Sequence, residues 1–232
     1  MTEPGPTWRV GGSQHIPRPA AWRLGDPPPW HGAAAPLPLD DLVRVVRERR
    51  VPPGPPPFPG ARQSAVLVVL HEGDDGPEVL VTRRSMSLRN HRGEISFPGG
   101  RVDPGETAEQ TARREAWEEV ALDPRLVTVH GELDHLVTVV SQSYIVPVVA
   151  SVSTRPLLTP SPDEVDRVLW VPLAELAHPA TYREEWWGQP PAERPIHFFE
   201  LADETIWGAT ARMLHQLMRL AHGADGAEPP AW

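Results

Sequence analysis

The glutamates around residue 117 are the side chains of this 232-residue chain that most directly suggest chemistry. Glu115, Glu118 and Glu119 stand at positions i, i+3 and i+4, so a helix places all three carboxylates on one side. Each like-charge pair costs about 0.2–0.5 kcal/mol on an exposed helix. A hard divalent cation such as Mg²⁺ prefers carboxylate oxygens and removes this repulsion. The alternative is a solvated acidic face that pairs with Arg113 and Arg114, and the helix alone does not decide between the two.

Two further groups of residues lie close to these glutamates. Phe97-Pro98-Gly99-Gly100 comes just before them, and paired glycines let a ligand approach the backbone closely. Five arginines precede or follow this loop in an otherwise acidic chain: Arg83, Arg84, Arg89, Arg92 and Arg101. Guanidinium groups match the geometry of phosphate oxygens. Carboxylates beside a glycine loop and an arginine cluster therefore predict a phosphate-ester or diphosphate substrate.

The composition narrows the class of protein. The chain has 22 basic and 31 acidic residues, so it lacks the excess positive charge that general nucleic-acid binding needs. It has no cysteine, which excludes disulfides and thiolate metal ligands. The longest apolar run, Ala65–Leu70, is far shorter than the ~18 residues of a spanning helix, and the N-terminus lacks a secretory pattern. We expect a cytoplasmic protein that binds neither nucleic acid nor a membrane.

The elements that must position these side chains can be predicted from local patterns. Ser64–His71 and Glu78–Thr82 predict a strand hairpin. Thr107 and Gln110 fit a capping box, so the helix that carries the glutamates should run from there to about Val120. The other predicted elements are helices at 39–50 and 205–222, a helical turn at 173–177, a short strand within 93–97, and strands at 126–140, 143–151, 165–171 and 196–201.

The order of these elements predicts an α/β fold, a mixed sheet with helices on its faces. Pro147 inside its strand predicts an edge or a bulge. Trp207, at the start of the last predicted helix, favours core packing over a platform for a base, and Trp186-Trp187 predicts an exposed patch or part of a lid. Half of the 30 prolines lie in residues 1–60, which predicts an arm that packs on the domain or stays loose. The expected domain covers residues 61–223 and a tail follows at 224–232.

The spacing around the glutamates resembles the Nudix box, G-x5-E-x7-R-E-U-x-E-E-x-G-U, where U is an aliphatic residue. Gly100, Glu106 and the run from Arg114 to Leu122 occupy the matching positions. One position departs, because Ala121 stands where the pattern has glycine. If the backbone there must be left-handed, a Cβ costs about 1–2 kcal/mol. The departure concerns the backbone conformation at the end of the helix and not the glutamates of the motif.

A second motif is similar to the signature of the coenzyme A diphosphatases, a Nudix subgroup. The pattern L-L-T-x-R-S/A-x3-R-x3-G-x3-F-P-G-G matches residues 80–100, with Val81 in place of the second leucine. The two motifs together cover residues 80–122, and the predicted elements from 64 to 222 agree with a Nudix domain. The first 60 residues lie outside the resemblance.

The resemblance implies a Nudix-type α/β/α sandwich and a hydrolase that depends on Mg²⁺ or Mn²⁺. Carried over by position, it assigns four metal ligands: Glu115, Glu118, Glu119 and the carbonyl of Gly100. Arg114 would orient the glutamates, and Glu106 would contact Arg114 or a metal-bound water. The implied substrate-binding residues are Arg84, Arg89, Gly93, Gly99 and Gly100.

The implied chemistry is attack of a water on phosphorus after a carboxylate removes its proton. The catalytic carboxylates are Glu115, Glu119 and Glu164, and the family differs in which glutamate is the base. Glu164 lies in a loop, so a solvent-exposed turn acid is an equally weighted interpretation.

The reaction implied by the resemblance is hydrolysis of the diphosphate of coenzyme A and its thioesters to 3′,5′-ADP and 4′-phosphopantetheine or its acyl form. One alternative is a Nudix hydrolase of ADP-ribose, NADH or a dNTP. Another is a sensor that binds a nucleotide without cleaving it, against which the intact set of glutamates argues. The expected partner is a small molecule, coenzyme A or an acyl-coenzyme A, and the sequence leaves a homodimer open.

Overall fold

The architecture is that of a computed structural model, which describes residues 9–33, 35–51, 60–138 and 142–224. Its strands are β1 (Trp22–Leu24), β2 (Arg62–Gly73), β3 (Gly76–Arg84), β4 (Ile95–Ser96), β5 (Gly99–Arg101), β6 (Thr128–Glu132), β7 (Leu136–Thr138), β8 (Ser143–Ser151), β9 (Val165–Pro172), β10 (Tyr182–Trp187), β11 (Arg194–Glu200) and β12 (Thr205–Trp207). Its helices are α1 (Leu39–Glu48), α2 (Ala108–Val120), α3 (Leu173–Ala177) and α4 (Gly208–Ala221), with a 3₁₀ turn at Pro124–Leu126. None of the helices in these ranges is long and apolar enough to cross a membrane.

The larger sheet has the order β4-β3-β2-β8-β6, with β9 added to β3, β5 to β2 and β7 to β8. It is mixed, because β2 is antiparallel to β3 and parallel to β8. Residues of β2 alternate between two cores, so that Leu67 packs under α2 and Val68 packs with α1 and α4. A strand buried on both faces has a nearly continuous apolar sequence, as β2 does. The predicted hairpin, the mixed sheet and the α/β/α arrangement are therefore confirmed.

A second sheet has the order β1-β10-β11-β12. One face, with Phe199 and Ile206, joins the core that α4 covers. The opposite face carries a small cluster around Phe198 and Trp187, against which Ile16 packs. The segment near Ile16 thus covers a sheet face that would otherwise be exposed.

Hydrogen bonds hold this N-terminal segment to the second sheet. The Gly12 N–H donates to Thr205 Oγ1 at 2.9 Å, and the Thr205 hydroxyl donates to Glu200 at 2.5 Å. Six residues later, Arg18 donates two hydrogen bonds of 2.5 and 2.8 Å to Glu185, whose side chain is 1% exposed. The described part of the segment before residue 60 therefore lies against the domain. The proposed boundary at residue 60 stays a prediction.

Two predictions about the strands after α2 are wrong. The single strand predicted at 126–140 is broken into the 3₁₀ turn, β6 and β7, and residues 139–140 lie outside the described residues. Pro147 is neither on an edge strand nor at a bulge, because β8 lies between β2 and β6. The break between β6 and β7 faces Pro147, whose carbonyl accepts from the Leu133 N–H at 3.0 Å. Proline has no N–H to donate. Pro147 lies opposite the break between β6 and β7, where the pairing of the neighbouring strand is already interrupted.

Two predictions near the C-terminus are also wrong. The last helix begins at Gly208 rather than Thr205, because Thr205–Trp207 forms β12. The chain enters the helix through Gly208 with φ of 64°, which glycine adopts without a Cβ penalty. Strand β10 was not predicted, and Trp187 within it is buried rather than exposed. Trp207 packs near Trp187, with ring centroids 6.2 Å apart, so it belongs to the small cluster.

Helix α2 begins and ends as its sequence predicts. The Gln110 N–H donates to Thr107 Oγ1 at 3.2 Å and the Thr107 N–H donates to Gln110 Oε1 at 2.8 Å, which confirms the capping box. At the other end, Ala121 adopts left-handed backbone with φ of 56° and ψ of 32°. The one departure from the Nudix pattern therefore falls on a residue that carries the cost of a Cβ in this conformation.

We expect the substitution Ala121→Gly to stabilise the protein. Removing the Cβ recovers about 1–2 kcal/mol of left-handed strain, less about 0.5–1 kcal/mol for the greater freedom of glycine in the unfolded chain. Urea denaturation should show a net gain of up to about 1.5 kcal/mol. The control Ala108→Gly, at a position with ordinary helical backbone, should give no gain. Equal or lower stability for Ala121→Gly would contradict this account of the helix end.

We expect Arg18→Ala to destabilise the protein by about 1–3 kcal/mol, because it removes two hydrogen bonds from the buried Glu185 carboxylate. The control is Arg23→Ala. Arg23 also pairs with a glutamate, Glu193, but that pair lies on the surface, so its loss should change the midpoint of denaturation little. Equal midpoints for the two variants would show that the N-terminal segment is not held as described.

Candidate active site

The two glycines before α2 allow the helix to approach the sheet closely. Gly99 and Gly100 lie in β5, which pairs with Val66 and Ala65 of β2. A Cβ on Gly99 would stand 2.4 Å from the Ala65 carbonyl oxygen, and one on Gly100 would stand 2.3 Å from Glu115 Oε1. At Gly99 a side chain would collide with the sheet backbone, and at Gly100 it would have to displace the Glu115 carboxylate. The close approach brings α2 carboxylates against the β5 backbone, where the Gly99 N–H donates to Glu119 Oε2 at 3.3 Å.

Arg114 connects the acidic residues at the exposed end of this contact. Its Nη1 donates to Glu115 Oε1 at 2.9 Å and to Glu118 Oε2 at 3.0 Å. Its Nε and Nη2 donate to the two carboxylate oxygens of Glu106 at 2.9 and 3.1 Å, and Nη2 also reaches the Arg101 carbonyl at 3.2 Å. One guanidinium therefore holds three carboxylates in a fixed arrangement, with the planar geometry that favours paired carboxylate oxygens.

Thr111 is a functional candidate that sequence reasoning missed. Its buried hydroxyl donates to Glu106 Oε2 at 2.7 Å. The hydrogen bonds from Arg114 and Thr111 lower the pKa of Glu106 to about 2. The signal was present in the sequence, because Thr111, Arg114, Glu115 and Glu118 follow one another at i, i+3, i+4 and i+7 and so share one side of α2.

Glu119 and Glu115 are carboxylates in an environment that disfavours negative charge. The Glu119 side chain is only 4% exposed. Burial raises the pKa of Glu119 to about 8; Arg84 and the Gly99 N–H oppose the rise, and repulsion from Glu115 and Glu164 adds to it. Burial also raises the pKa of Glu115, against the hydrogen bond from Arg114. The site therefore holds two carboxylates whose negative charge is only partly balanced by neighbouring donors and cations. Carboxylates of this kind are frequent at functional sites.

Glu164 is brought to these acids by the end of α2. The last carbonyls of a helix have no partner within the helix. Here the Ser161 N–H donates to the Glu119 carbonyl at 2.8 Å, and the Thr159 N–H donates to the Val120 carbonyl at 2.9 Å. These bonds fix the loop before β9 next to the site. Repulsion from Glu164 contributes to the raised pKa of both Glu115 and Glu119, which shows that its carboxylate lies within electrostatic reach of them.

Arg84 approaches the buried carboxylate from the end of β3. Its Nη1 lies 3.9 Å from Glu119 Oε1, an ion pair without a hydrogen bond. Its Nε is buried and has no hydrogen-bond partner among the described residues. The Gly93 N–H donates to the Arg84 carbonyl at 3.0 Å, and Gly93 has φ of 71°, so glycine suits the turn that returns the chain to β4. Arg89 lies exposed on the loop between them, and no contact joins it to the described residues of the site.

The residues present fit a hard divalent cation, although they are not arranged as a finished coordination shell. Within the described residues, no three Asp, Glu or His side chains already converge as metal ligands. Arg114 accounts for part of this, because it holds Glu115 and Glu118 toward itself. The buried Glu119 carboxylate, with a pKa of about 8, is under-compensated by its N–H donor and by Arg84. Carboxylate oxygens next to an exposed strand backbone are the donor set that Mg²⁺ and Mn²⁺ prefer.

A comparison with known protein families identifies the family to which the chain belongs. A family described as NUDIX domain matches residues 61–191, which is more than half of the chain. The chain therefore belongs to the Nudix hydrolase family. Enzymes of this family act on nucleoside diphosphate derivatives and generally use divalent ions such as Mg²⁺ or Mn²⁺.

Two sequence relatives agree with this class. Nudix hydrolase 22, chloroplastic, of Arabidopsis thaliana is 36% identical over 187 residues, which are 74% of this chain and 58% of that protein. The chain thus spans little more than half of the plant relative. The uncharacterized Nudix hydrolase NudL of Pectobacterium atrosepticum is 35% identical over 182 residues, 77% of this chain and 92% of the relative. A MutT/nudix family protein from Enterococcus faecalis has a TM-score of 0.48 at 16% identity, over 77% of this chain and 67% of that one.

We expect Glu119→Gln to weaken Mn²⁺ binding, measured by calorimetry, by at least about tenfold, since even the loss of an outer partner of a metal ligand has this effect. The control is Glu109→Gln, because Glu109 lies on the outer side of the same helix and pairs with Arg113 at 3.0 Å. Its removal should leave Mn²⁺ binding unchanged. Equal affinities for the two variants would exclude the metal site described here.

Proposed function

We propose that the chain hydrolyses the diphosphate of coenzyme A and its thioesters to 3′,5′-ADP and 4′-phosphopantetheine or its acyl form. Family membership accounts for a hydrolase of nucleoside diphosphate derivatives. The narrower choice of substrate depends on the motif at residues 80–100 and on the position of the arginines that it contains. We also retain the cytoplasmic location as a prediction, and a homodimer stays open.

The observation that carries the proposal is the position of Arg84. Its guanidinium stands 3.9 Å from the Glu119 carboxylate, and its buried Nε has no hydrogen-bond partner in the part of the chain that the structure describes. A buried donor without a partner costs about 1–3 kcal/mol, and a bound phosphate oxygen would satisfy it. A cation next to under-compensated carboxylates is the arrangement expected where a diphosphate meets a metal-binding acid.

The metal ligands in this proposal are Glu115, Glu118, Glu119 and the Gly100 carbonyl. A divalent ion held there neutralises phosphate charge and makes a water more acidic. The residues of the chain orient the reactants: Arg114 holds Glu115 and Glu118, and Glu106 and Thr111 hold Arg114 in turn. Arg84, with the backbone of Gly99, faces the substrate side of the buried Glu119.

The base takes one proton from the attacking water, and the water oxygen then attacks phosphorus in line with the leaving phosphate oxygen. Glu115 and Glu164 both remain candidates. Glu115 is engaged by Arg114, whereas no hydrogen bond from the described residues reaches the exposed Glu164 carboxylate. We favour Glu164 for this reason. The larger fall in kcat, by about 10²–10⁴-fold, should then belong to Glu164→Gln.

The substrate is tested by comparing kcat/KM for coenzyme A, ADP-ribose, NADH and dNTPs with Mg²⁺ present. We expect coenzyme A to be the best of these substrates. Equal or lower activity on coenzyme A would discard the proposed substrate and leave a Nudix hydrolase of another derivative. Binding of a nucleotide without metal-dependent product would instead favour the sensor.

We expect Arg89→Ala to lower kcat/KM for coenzyme A by about 10- to 100-fold, the range for losing a hydrogen bond to a charged group. The control is Arg92→Ala, because Arg92 is an exposed arginine three residues further along the same loop, at a position that the motif leaves unspecified. Arg92→Ala should retain full activity. If the two variants lose activity equally, general positive charge and not the motif arginine attracts the substrate.

A further inference from the structure

We propose that Asp166 is a positioning residue for the loop at residues 85–93, which we call the arginine loop. This inference takes its substrate from the proposed function. It states that the Asp166 carboxylate sets where the loop leaves β3 and thereby where Arg89 stands relative to the carboxylates. Asp166 lies outside both sequence motifs, and neither the metal ligands nor the candidate base include it.

A bulge in β9 frees Asp166 for this role. The pairing of β9 with β3 is regular from Pro172 opposite Glu78 to Arg167 opposite Arg83. The next residue of β3, Arg84, then faces Val165, so Asp166 is an extra residue in β9. A bulge of this kind leaves one residue out of the ladder and redirects its side chain, and bulges are frequent beside active sites.

The redirected carboxylate holds the start of the arginine loop. The Met86 N–H donates to Asp166 Oδ2 at 3.1 Å. On each side of this bond the two segments are joined again, because the Ser85 N–H donates to the Glu164 carbonyl at 2.8 Å and the Ser87 hydroxyl donates to the Asp163 carbonyl at 3.4 Å. The arginine loop and the loop that carries Glu164 are therefore joined along three successive residues. Asp166 supplies the one side-chain carboxylate among these links.

The bond also falls on the turn that separates the two motif arginines. The Leu88 N–H donates to the Ser85 carbonyl at 3.2 Å, so residues 85–88 form one turn directly after Arg84. Arg89 is the first residue beyond this turn. The hydrogen bond from Met86 to Asp166 falls on the second residue of the turn and fixes its orientation. Without this bond, the turn is held only by the links that Ser85 and Ser87 make to the loop before β9. The direction in which the chain leaves the turn at Arg89 is then no longer fixed.

The test uses the full-length protein with three single variants. We expect Asp166→Ala to raise KM for coenzyme A about tenfold with kcat changed less than about twofold, because the loop binds the substrate while the metal ligands stay in place. Asp166→Asn should restore the KM, since an amide oxygen also accepts from the Met86 N–H. Asp163→Ala should leave both constants unchanged. Asp163 is another exposed carboxylate, in the loop just before β9, and only its carbonyl takes part in the links described.

A double-mutant cycle then asks whether Asp166 acts through Arg89. In the Arg89→Ala background, Asp166→Ala should raise KM by less than about twofold, since positioning an absent guanidinium has no value. The proposal is overturned if the effects of Asp166→Ala and Arg89→Ala on KM multiply in the double variant. It is also overturned if Asp166→Ala leaves KM unchanged, or if Asp166→Asn does not restore KM. Arg89→Ala with unaltered kinetics would overturn it as well.

The outcome can be separated from that of the proposed function. The cycle is measured on whichever of the four compared substrates has the highest kcat/KM. If coenzyme A is not that substrate, the proposed function fails while the coupling between Asp166 and Arg89 is still measured. Melting temperatures recorded for every variant show whether a changed KM accompanies a loss of folded protein.

Discussion

The site depends on one constraint, which is that a glutamate carboxylate is held almost entirely away from water. Moving an anion into a protein interior costs several kcal/mol unless hydrogen bonds and counter-charges replace the lost solvation. Glu119 receives an N–H at 3.3 Å and a guanidinium at 3.9 Å, both at the long end of useful contact. This packing depends on the bare backbone of Gly99, because a Cβ there would collide with the backbone of the sheet, whereas a Cβ on Gly100 would displace the Glu115 carboxylate. The glycines at positions 99 and 100 and the raised pKa of Glu119 are therefore two consequences of the same packing.

The two arginines of the site divide the acidic residues between them. Arg114 is committed to Glu106, Glu115, Glu118 and a backbone carbonyl, so it has no donor left for the buried carboxylate. Arg84 is the guanidinium that faces Glu119, and it makes no hydrogen bond to it. Arg114, whose donors are all used, holds its carboxylates in place. Arg84, which makes no hydrogen bond to Glu119, keeps donors for a ligand. This difference gives two chemically identical side chains separate tasks.

Sequence patterns predicted the parts of the structure whose causes are local. The capping box, the bounds of α2 and the β2–β3 hairpin follow from residues within a few positions of one another. The break of the predicted strand at 126–140 could not be foreseen, since it lies opposite Pro147 in another strand. Strand β10 was missed because it contains Glu184 and Glu185. The buried Glu185 carboxylate is paired with Arg183 and Trp187 of its own strand and with Arg18, which lies far away along the chain. The proximity of Glu164 to the other acids depends on bonds to the end of α2, which no local pattern reveals.

The N-terminal segment also has a consequence for the order in which the protein assembles. Gly12 and Gln14 bond to residues 204 and 205, which follow them by about 190 positions. During synthesis the ribosome delivers the first partner long before the second, so this contact cannot form until residues 204 and 205 have been made. Contacts between such distant positions form slowly because the intervening loop must first close. The N-terminal segment therefore covers the outer face of the second sheet only late in folding.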